Sequence, residues 1–382
     1  MKSARHPAPT GRMVDGMTTW SIREVPVSET VDGNWLLHGY TDAINDVIVS
    51  TWGNHDFERS AAEILGSMHD QQYDRKPRLV AVADDDADTP DPARVLGYSA
   101  MILPLQDNTH TAHVDLGVRP GHRRQGIGSS LYDTSLALVR EAGRTQVTAS
   151  TDHSVEPPDG PGTLAPSTGA GRVAADADGP RFALQRGFAL EQVGRYSVLD
   201  LPYDAELIAK RADAEAQAGP DYRLVSWQSH APQEWVDAYA LLLTRMSTDA
   251  PLGGLDLEED VWDAERIRRT EKQWQDRGLE LLVLAAEHVP THTLAAFTCF
   301  MEVPTTSVFV HQDDTLVLRE HRGKRLGMLV KTANLQRLAV ERPSIRRVGT
   351  WNAQENSYML AINVALGFHP AGGAGEWQLK LG

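Results

Sequence analysis

One cysteine in 382 residues, Cys299, leaves this chain unable to form an internal disulfide or a cysteine-ligated zinc site. Within "LAAFTCFMEV" that thiol reads as a small buried strand residue and not as a nucleophile. Positive charge is also short, since 37 Lys and Arg face 52 Asp and Glu for a formal net charge of −15 at pH 7. That balance argues against nucleic-acid binding, which needs a broad basic face. No run of 18 apolar residues occurs, and the opening "MKSARHPAPTGRMVDGMTTW" has no apolar stretch of the kind a signal peptide carries. The expectation is a cytoplasmic protein with no nucleic-acid partner, no membrane partner and no bound metal. What remains, 41% hydrophobic and 23% charged residues, is the composition of a globular protein long enough for two domains.

An internal repeat organises the chain. "HVDLGVRPGHRRQGIGSSL" (113–131) matches "QDDTLVLREHRGKRLGMLV" (312–330), pairing Asp115 with Asp314, Val118 with Val317, Arg123 with Arg322 and Gly128 with Gly327 at a constant offset of 199. A second landmark recurs downstream, "ALQRGF" ending at Phe188 and "NVALGF" ending at Phe368, at an offset of 180. The first copy therefore carries 19 extra residues between its landmarks. They fall in "SVEPPDGPGTLAPSTGAGRVAADADGP", rich in Pro, Gly, Ser and Ala, which is expected to be a mobile loop over 154–179.

Both copies read alike. Each opens on a short strand, "WSIREV" or "YRLVSW", followed by helical stretches, "WLLHGYTDAINDVIVSTW" and "SAAEILGSMHDQQ" in one copy, "EWVDAYALLLTRMS" and "AERIRRTEKQWQ" in the other. Consecutive β-branched and apolar strands come next, "RLVAVA", "VLGYSAMIL" and "AHVDLGV", answered by "ELLVLAA", "LAAFTCFMEV" and "DTLVL". A helix follows each glycine motif, with Ile127, Leu131, Leu138 and Ala142 on one face in the first copy and Leu326, Val330 and Ala333 in the second. Strands that run consecutively do not make a regular βαβ alternation, so the fold class is α+β with two tandem domains, each a mixed, mostly antiparallel sheet flanked by helices. The expected boundaries are a flexible tail over 1–17, domains over 18–201 and 222–382, and a charged linker helix over 202–221.

Four of the six residues from Arg119 to Arg124 are Arg or His, and Gly126 and Gly128 follow at once. A strand, then Arg-x-x-Gly-x-Gly, then a helix leaves backbone N–H groups at the helix start free to face an anion. The glycines remove side chains that block close approach, and Arg123 and Arg124 add charge. Such a site suits a phosphate or pyrophosphate. A dinucleotide fingerprint needs a third glycine in a βαβ unit and a P-loop needs Gly-Lys-Ser/Thr; neither is present.

"VRPGHRRQGIG" resembles the coenzyme A pyrophosphate loop of the GNAT superfamily of N-acetyltransferases, V-x-P-x-x-R/Q-x-x-G-x-G/A, and "NSYMLAINVALGF" (356–368) resembles that family's second signature, N-x-x-A-x-x-x-Y-x-x-x-G-F. The likeness runs once through each half, and the two-domain arrangement is similar to that of actinobacterial mycothiol synthase-like enzymes. It implies an acetyl-CoA donor held between splayed strands, a small-molecule amine that attacks the thioester directly, no metal, and a monomer or homodimer. It assigns the coenzyme to Val118, Arg123, Arg124, Gln125, Gly126, Ile127 and Gly128 in the first copy. In the second copy it assigns Val317, Arg322, Gly323, Lys324, Arg325, Leu326, Gly327 and Asn356.

The departures are informative. Arg325 replaces the first glycine in the second copy, and the family's tyrosine acid is absent from both copies, where Ala183 and Asn363 stand in its place. The Asn position of the first copy is Asp176, and Tyr358 lies on another helical face, where packing is its expected role. For a general base, same-parity counting back from Val317 gives Thr315, Asp313 and His311, against the apolar Leu116, Val114 and Ala112 of the first copy. His311 and Asp313 are the expected catalytic residues. The second copy is therefore expected to be catalytic and the first degenerate, with a non-catalytic acyl-CoA-binding protein as the alternative.

Overall fold

The computed structural model of the chain describes residues 19–84, 89–202 and 206–382. The tail expected over 1–17 lies outside them. Two compact units emerge, one running to Ser150 and including Gln378–Gly382, the other spanning Thr151–Trp377.

In the first unit β1 (Trp20–Glu24) leads into α1 (Trp35–Trp52) and α2 (Ala61–His69). Asn34 caps α1 by accepting from the Leu37 N–H, and Ser60 caps α2 by accepting from the Glu63 N–H, each relieving an otherwise orphan donor. Then come β2 (Asp74–Arg75), β3 (Arg78–Ala83), β4 (Val95–Pro104), β5 (Thr111–Val118), α3 (Ile127–Glu141) and the start of β6 (Gln146–His153). The sheet runs β1-β3-β4-β5-β6, antiparallel except for β5 with β6, and β2 pairs with β4. Leu37, Tyr40 and Ile44 of α1 join Ile64, Leu65 and Met68 of α2 in burying one sheet face, at Val80, Val82 and Tyr98. Gly39 permits this approach, because a Cβ there would sit 2.3 Å from Val95 Cγ2.

The second unit holds β7 (Thr163–Leu164), β8 (Val173–Ala174), α4 (Asp178–Gln185), β9 (Ala189–Asp200) and α5 (Glu206–Ala218). It continues through β10 (Tyr222–Gln228), α6 (Val236–Asp249), α7 (Ala264–Asp276), β11 (Glu280–His288), β12 (Thr293–Glu302) and β13 (Phe309–Val317). It closes with α8 (Leu326–Glu341), β14 (Arg347–Ala353), α9 (Ser357–Leu366) and β15 (His369–Lys380), whose end passes into the first unit. Here the order is β10-β11-β12-β13-β14-β9 with β15 beyond β9, and β13 with β14 is parallel. One face is filled by Tyr239, Leu243 and Ile267 of α6 and α7 against Val283, Phe297 and Leu316. The other is filled by Leu326, Val330 and Ala333 of α8 against Leu284, Phe300, Val310 and Val348.

The α+β class and the mostly antiparallel sheets are as the sequence predicts. The two compact units divide the chain elsewhere than the expected domain boundaries. Residues 151–201, expected in the first domain, pack in the second unit, where the second half of β9 pairs with β14 from Gly194↔Ala353 to Asp200↔Arg347. The chain end is placed in the first unit, where the Leu381 N–H donates to the Thr145 carbonyl at 2.8 Å. The helix expected over 202–221 forms as α5, and it is more than a connector: Leu207, Ala214 and Ala218 are buried in the α8 core. Segment 154–179 is likewise folded in place, since β7 pairs with β8, Val173 is buried, and Glu156 accepts from the Arg172 N–H and from Gln354 Nε2.

Candidate active site

The two glycine loops share a backbone that their sequences conceal. Left-handed residues fall at Arg124 (φ 64°) and Gly126 (φ 94°) in the first and at Gly323 (φ 81°) and Arg325 (φ 58°) in the second. These are the same two positions with arginine and glycine exchanged. Neither α3 nor α8 has a side-chain cap, so the N–H groups of its first turn remain available to an anion. Alternating left- and right-handed residues ahead of a helix make a concave donor surface of this kind. Ile127 and Leu326, the first residues of the helices, are buried and anchor the loops.

The loop arginines have other employment as well. Arg123 Nε donates to the Val118 carbonyl at 3.1 Å, and Arg322 Nε donates to the Val317 carbonyl at 3.2 Å. In the second copy Asp249, a buried carboxylate at the end of α6, accepts from Arg319 Nε and Arg322 Nη2 at 2.9 Å each. Arg325 reaches Asp213 of α5 at 3.4 Å. Lys324 lies 5.9 Å over the Tyr222 ring. Gln125 is half-buried, and Gly327 tolerates no side chain without crowding Ile362 Cδ1, 3.2 Å from a notional Cβ.

Strand β13 differs from β5 in one decisive respect. In the first copy β4 and β5 keep a constant register from Gly97↔Val118 to Ile102↔His113. In the second, Thr298 pairs with Thr315 but Phe300 pairs with Gln312, so Asp313 and Asp314 together oppose Cys299. This is a β-bulge, and it breaks the parity count. Thr315 and Gln312 turn toward α8, where Thr298 Oγ1 meets Thr315 Oγ1 and accepts from Gln312 Nε2, both at 2.8 Å. The two residues of such a bulge share the opposite face, so His311 and Asp313 keep company there with Asp314, and Thr315 leaves the set. Parallel pairing of β13 with β14 spans only Phe309↔Arg347 to Gln312↔Thr350, and the strands diverge from the bulge onward.

Electrostatics mark the same spot. Burial and the adjacent Asp313 carboxylate push Asp314 up to about 8. Asp313 keeps one side open to solvent, and crowding by protein on the others pushes its carboxyl upward too. Tyr239 on α6 feels both charges and, with burial as the main cause, has its phenol pushed well up. His311 is half-buried, its ring edge-to-face with Phe309 at 4.8 Å. Behind the bulge Lys331, 1% exposed, lies 3.5 Å from Thr315 Oγ1 and is pushed down to about 7 by burial. A lone lysine in an apolar helical stripe was the available sequence signal, and Asp314 was hidden by the bulge.

Asn356 caps α9, its Oδ1 accepting from the Met359 N–H at 3.2 Å. Asn363 is buried and donates from Nδ2 to Asn352 Oδ1 of β14 at 2.6 Å. Tyr358 is 60% exposed, so the packing role expected for it does not hold. Cys299 is buried on β12 as expected. Among the described residues no group of three or more His, Cys, Asp or Glu is arranged to hold a metal, and no helix is long and apolar enough to cross a membrane.

Residues 42–157 match the family model described as Acetyltransferase (GNAT) family. No curated protein matches the chain. Among solved structures, a tandem GNAT protein from the clavulanic acid biosynthesis pathway is 24% identical with a TM-score of 0.71, over 95% of this chain and 99% of that one. A GCN5-related N-acetyltransferase from Sphaerobacter thermophilus is 14% identical with a TM-score of 0.56, over 94% and 95%. A glucosamine N-acetyltransferase region of a fungal multi-domain β-N-acetylglucosaminidase is 13% identical with a TM-score of 0.58, over 95% of this chain and 38% of that one. The match to the GNAT family thus lies in residues 42–157, and the chain as a whole has the fold of a tandem GNAT protein.

Proposed function

We propose that the chain is an acetyl-CoA-dependent N-acetyltransferase acting on the primary amine of a small molecule, and that its second copy is the catalytic one. The observation that carries this reading is the bulge at Asp313–Asp314, set where β13 parts from β14 on the strand that runs into the α8 loop. The first copy has an anion loop and diverging strands but an unbroken β5.

The division of tasks follows from the residues. The first-turn N–H groups of α8, with Gly323, Lys324, Arg325, Leu326 and Gly327 shaping the approach, receive the pyrophosphate; the corresponding loop at Arg124–Gly128 receives it in the first copy. His311, Asp313 and Asp314 stand where an ammonium must lose its proton before it can attack. A carboxyl raised toward neutrality is matched to that task. The ammonium's first proton passes to the base, the neutral nitrogen forms the new bond to the thioester carbon, the C–S bond breaks with the pair on sulfur, and the second proton that nitrogen sheds on becoming an amide goes to the thiolate.

Thiol release from acetyl-CoA with a panel of small amines tests this reading. Steady release with any amine supports the enzyme. Tight coenzyme A binding without turnover across a broad panel supports instead the acyl-CoA-binding protein, a reading that Asn363 at the acid position favours.

A further inference from the structure

Lys331 is the costliest residue behind the bulge. It is 1% exposed on α8, among the apolar core side chains of Leu329, Val330 and Ala333. Among the described residues no carboxylate pairs with it; the Phe368 ring lies 5.9 Å away and Thr315 Oγ1 at 3.5 Å. Gln312 adds a second cost, since its Oε1 is buried with no hydrogen-bond partner. Apolar residues of similar volume would avoid both, so stability alone does not explain the pair.

Their hydrogen bonds lead to the back of the bulge. A bulge interrupts the ladder and leaves backbone groups that need other partners. Gln312 Nε2 donates at 2.8 Å to the carbonyl of Cys299, the residue that Asp313 and Asp314 together oppose, and at 2.8 Å to Thr298 Oγ1. Thr298 Oγ1 in turn donates to the Asp314 carbonyl at 3.3 Å. With that proton committed, Thr315 Oγ1 donates to Thr298, and its own lone pairs are left to Lys331. The series therefore runs one way, from Lys331 through Thr315 and Thr298 to the Asp314 backbone.

The first copy shows which links belong to the bulge. Ser99, the counterpart of Thr298, makes the same bond to the Asp115 carbonyl at 3.2 Å. The counterparts of Gln312, Thr315 and Lys331 are Val114, Leu116 and Tyr132, and there the register runs unbroken. Three polar residues accompany the bulge in one copy, and none of the three accompanies the regular strand in the other.

We infer that Lys331, acting through Thr315 and Thr298 with Gln312 beside them, is a positioning residue that holds the bulge and so fixes Asp313 and Asp314 where β13 leaves β14. This rests on the reading of the second copy as the catalytic one and adds to it the residues that build its carboxylate pair. Lys331 lies across the sheet from both carboxyls, so it handles neither the amine nor its proton.

Cys299, the one thiol of the chain, is buried opposite the bulge and reports on it without any activity. Lys331→Met and, separately, Gln312→Val are expected to speed modification of Cys299 by a small methanethiosulfonate about three- to tenfold, the value of one hydrogen bond. The urea midpoint is expected to hold or rise, because a buried cost is removed. Gln312→Val decides the matter should Lys331→Met not fold. A thiol rate that stays put, or that moves only as global stability moves, overturns the inference and makes the network ordinary core. With an accepted amine, both variants are expected to lower turnover about tenfold or more and to shift its pH profile, with the Michaelis constant for acetyl-CoA within about twofold. Lost turnover with an unmoved pH profile also overturns it. Absence of turnover in the unaltered protein removes the catalytic reading, and the thiol rates still decide whether the network holds the bulge.

Discussion

His311 and His113 occupy equivalent places in their two sheets, although His311 stands six residues before Val317 and His113 only five before Val118. Each lies at the third step of its parallel pairing, His311 opposite Gly349 and His113 opposite Thr148. On the antiparallel side they face Met301 and Ile102, which match at the repeat offset of 199. The extra residue is the bulge. It sets Asp313 and Asp314 between a histidine present in both copies and a valine present in both.

That equivalence makes His113 the natural control for His311. In the first copy the imidazole Nδ1 lies 3.1 Å from Thr148 Oγ1, a strand-to-strand contact with no carboxylate bulge beside it. His311→Ala or Asp313→Ala is expected to lower turnover about a hundred- to ten-thousandfold with little change in acetyl-CoA binding. His113→Ala is expected to leave turnover per folded molecule within about twofold, because it lacks the bulge that would bring it base partners. Equal losses at both histidines would mean that the two copies share the chemistry or that both residues are structural.

Asp249 governs what the second loop's arginines are worth. Its carboxylate is buried and holds both Arg319 and Arg322, which are themselves exposed. Either single alanine substitution leaves the other guanidinium in place and is expected to cost up to about 1 kcal/mol. Replacing both strands a buried charge and is expected to cost roughly 3–5 kcal/mol, well beyond the sum. Urea unfolding of the two single variants and the double variant measures that coupling. Additive losses would show that Asp249 reaches water when released. Arg322→Ala is further expected to raise the Michaelis constant for acetyl-CoA more than it lowers turnover, through the loosened loop.

The exchanged left-handed positions predict opposite responses to glycine. Arg325→Gly removes a side chain from a conformation that costs most residues about 1–2 kcal/mol, partly offset by the freedom glycine gains on unfolding. The melting temperature is expected to hold or rise slightly, the salt-exposed contact to Asp213 being weak. Gly126→Val imposes the same strain at φ 94° and is expected to lower both the melting temperature and coenzyme A affinity in the first copy. Calorimetric stoichiometry read beside the melting curve separates the two effects. Unchanged stoichiometry and affinity in a folded Gly126→Val protein would remove the first loop as a coenzyme site.

Much of this was legible in the chain. Helices α1 and α7 follow their apolar periodicity and caps, α6 follows its periodicity alone, and β3, β4 and β11 follow their β-branched runs. Two things were not. A strand's composition does not say which sheet it will join, so β9 read as the end of the first domain although its hydrogen bonds go to β14. A bulge leaves no mark in "VHQDDTLVL", because Asp313 and Asp314 fit an alternating pattern in either register. Counting by parity therefore puts Thr315 on the wrong face and leaves Asp314 out of the set.

Asp314 carries the most demanding expectation. Folded, it keeps its proton until about pH 8, whereas an unperturbed aspartate ionises near 3.8. The unfolded chain therefore releases this proton first as pH rises. Stability contributed by the group is full below about pH 4, declines from there, and is lost by the time pH passes 8. Asp314→Asn stays neutral throughout, so its melting temperature is expected to gain on the unaltered protein between pH 4 and 9. Catalysis should run the other way. The groups around this carboxyl are Asp313 and His311 on β13, Cys299 on β12 and Tyr239 on α6, and burial pushes the thiol and the phenol well above their ordinary ranges. If Asp314 takes the amine's proton, turnover of the unaltered enzyme should climb with pH to a plateau near 8, and Asp314→Asn should lose both the climb and about a hundredfold or more in rate. Higher stability with lost turnover is the pattern of a strained catalytic group. Higher stability with turnover and pH profile intact would assign the proton to His311 or Asp313 and leave Asp314 as the residue that makes the bulge.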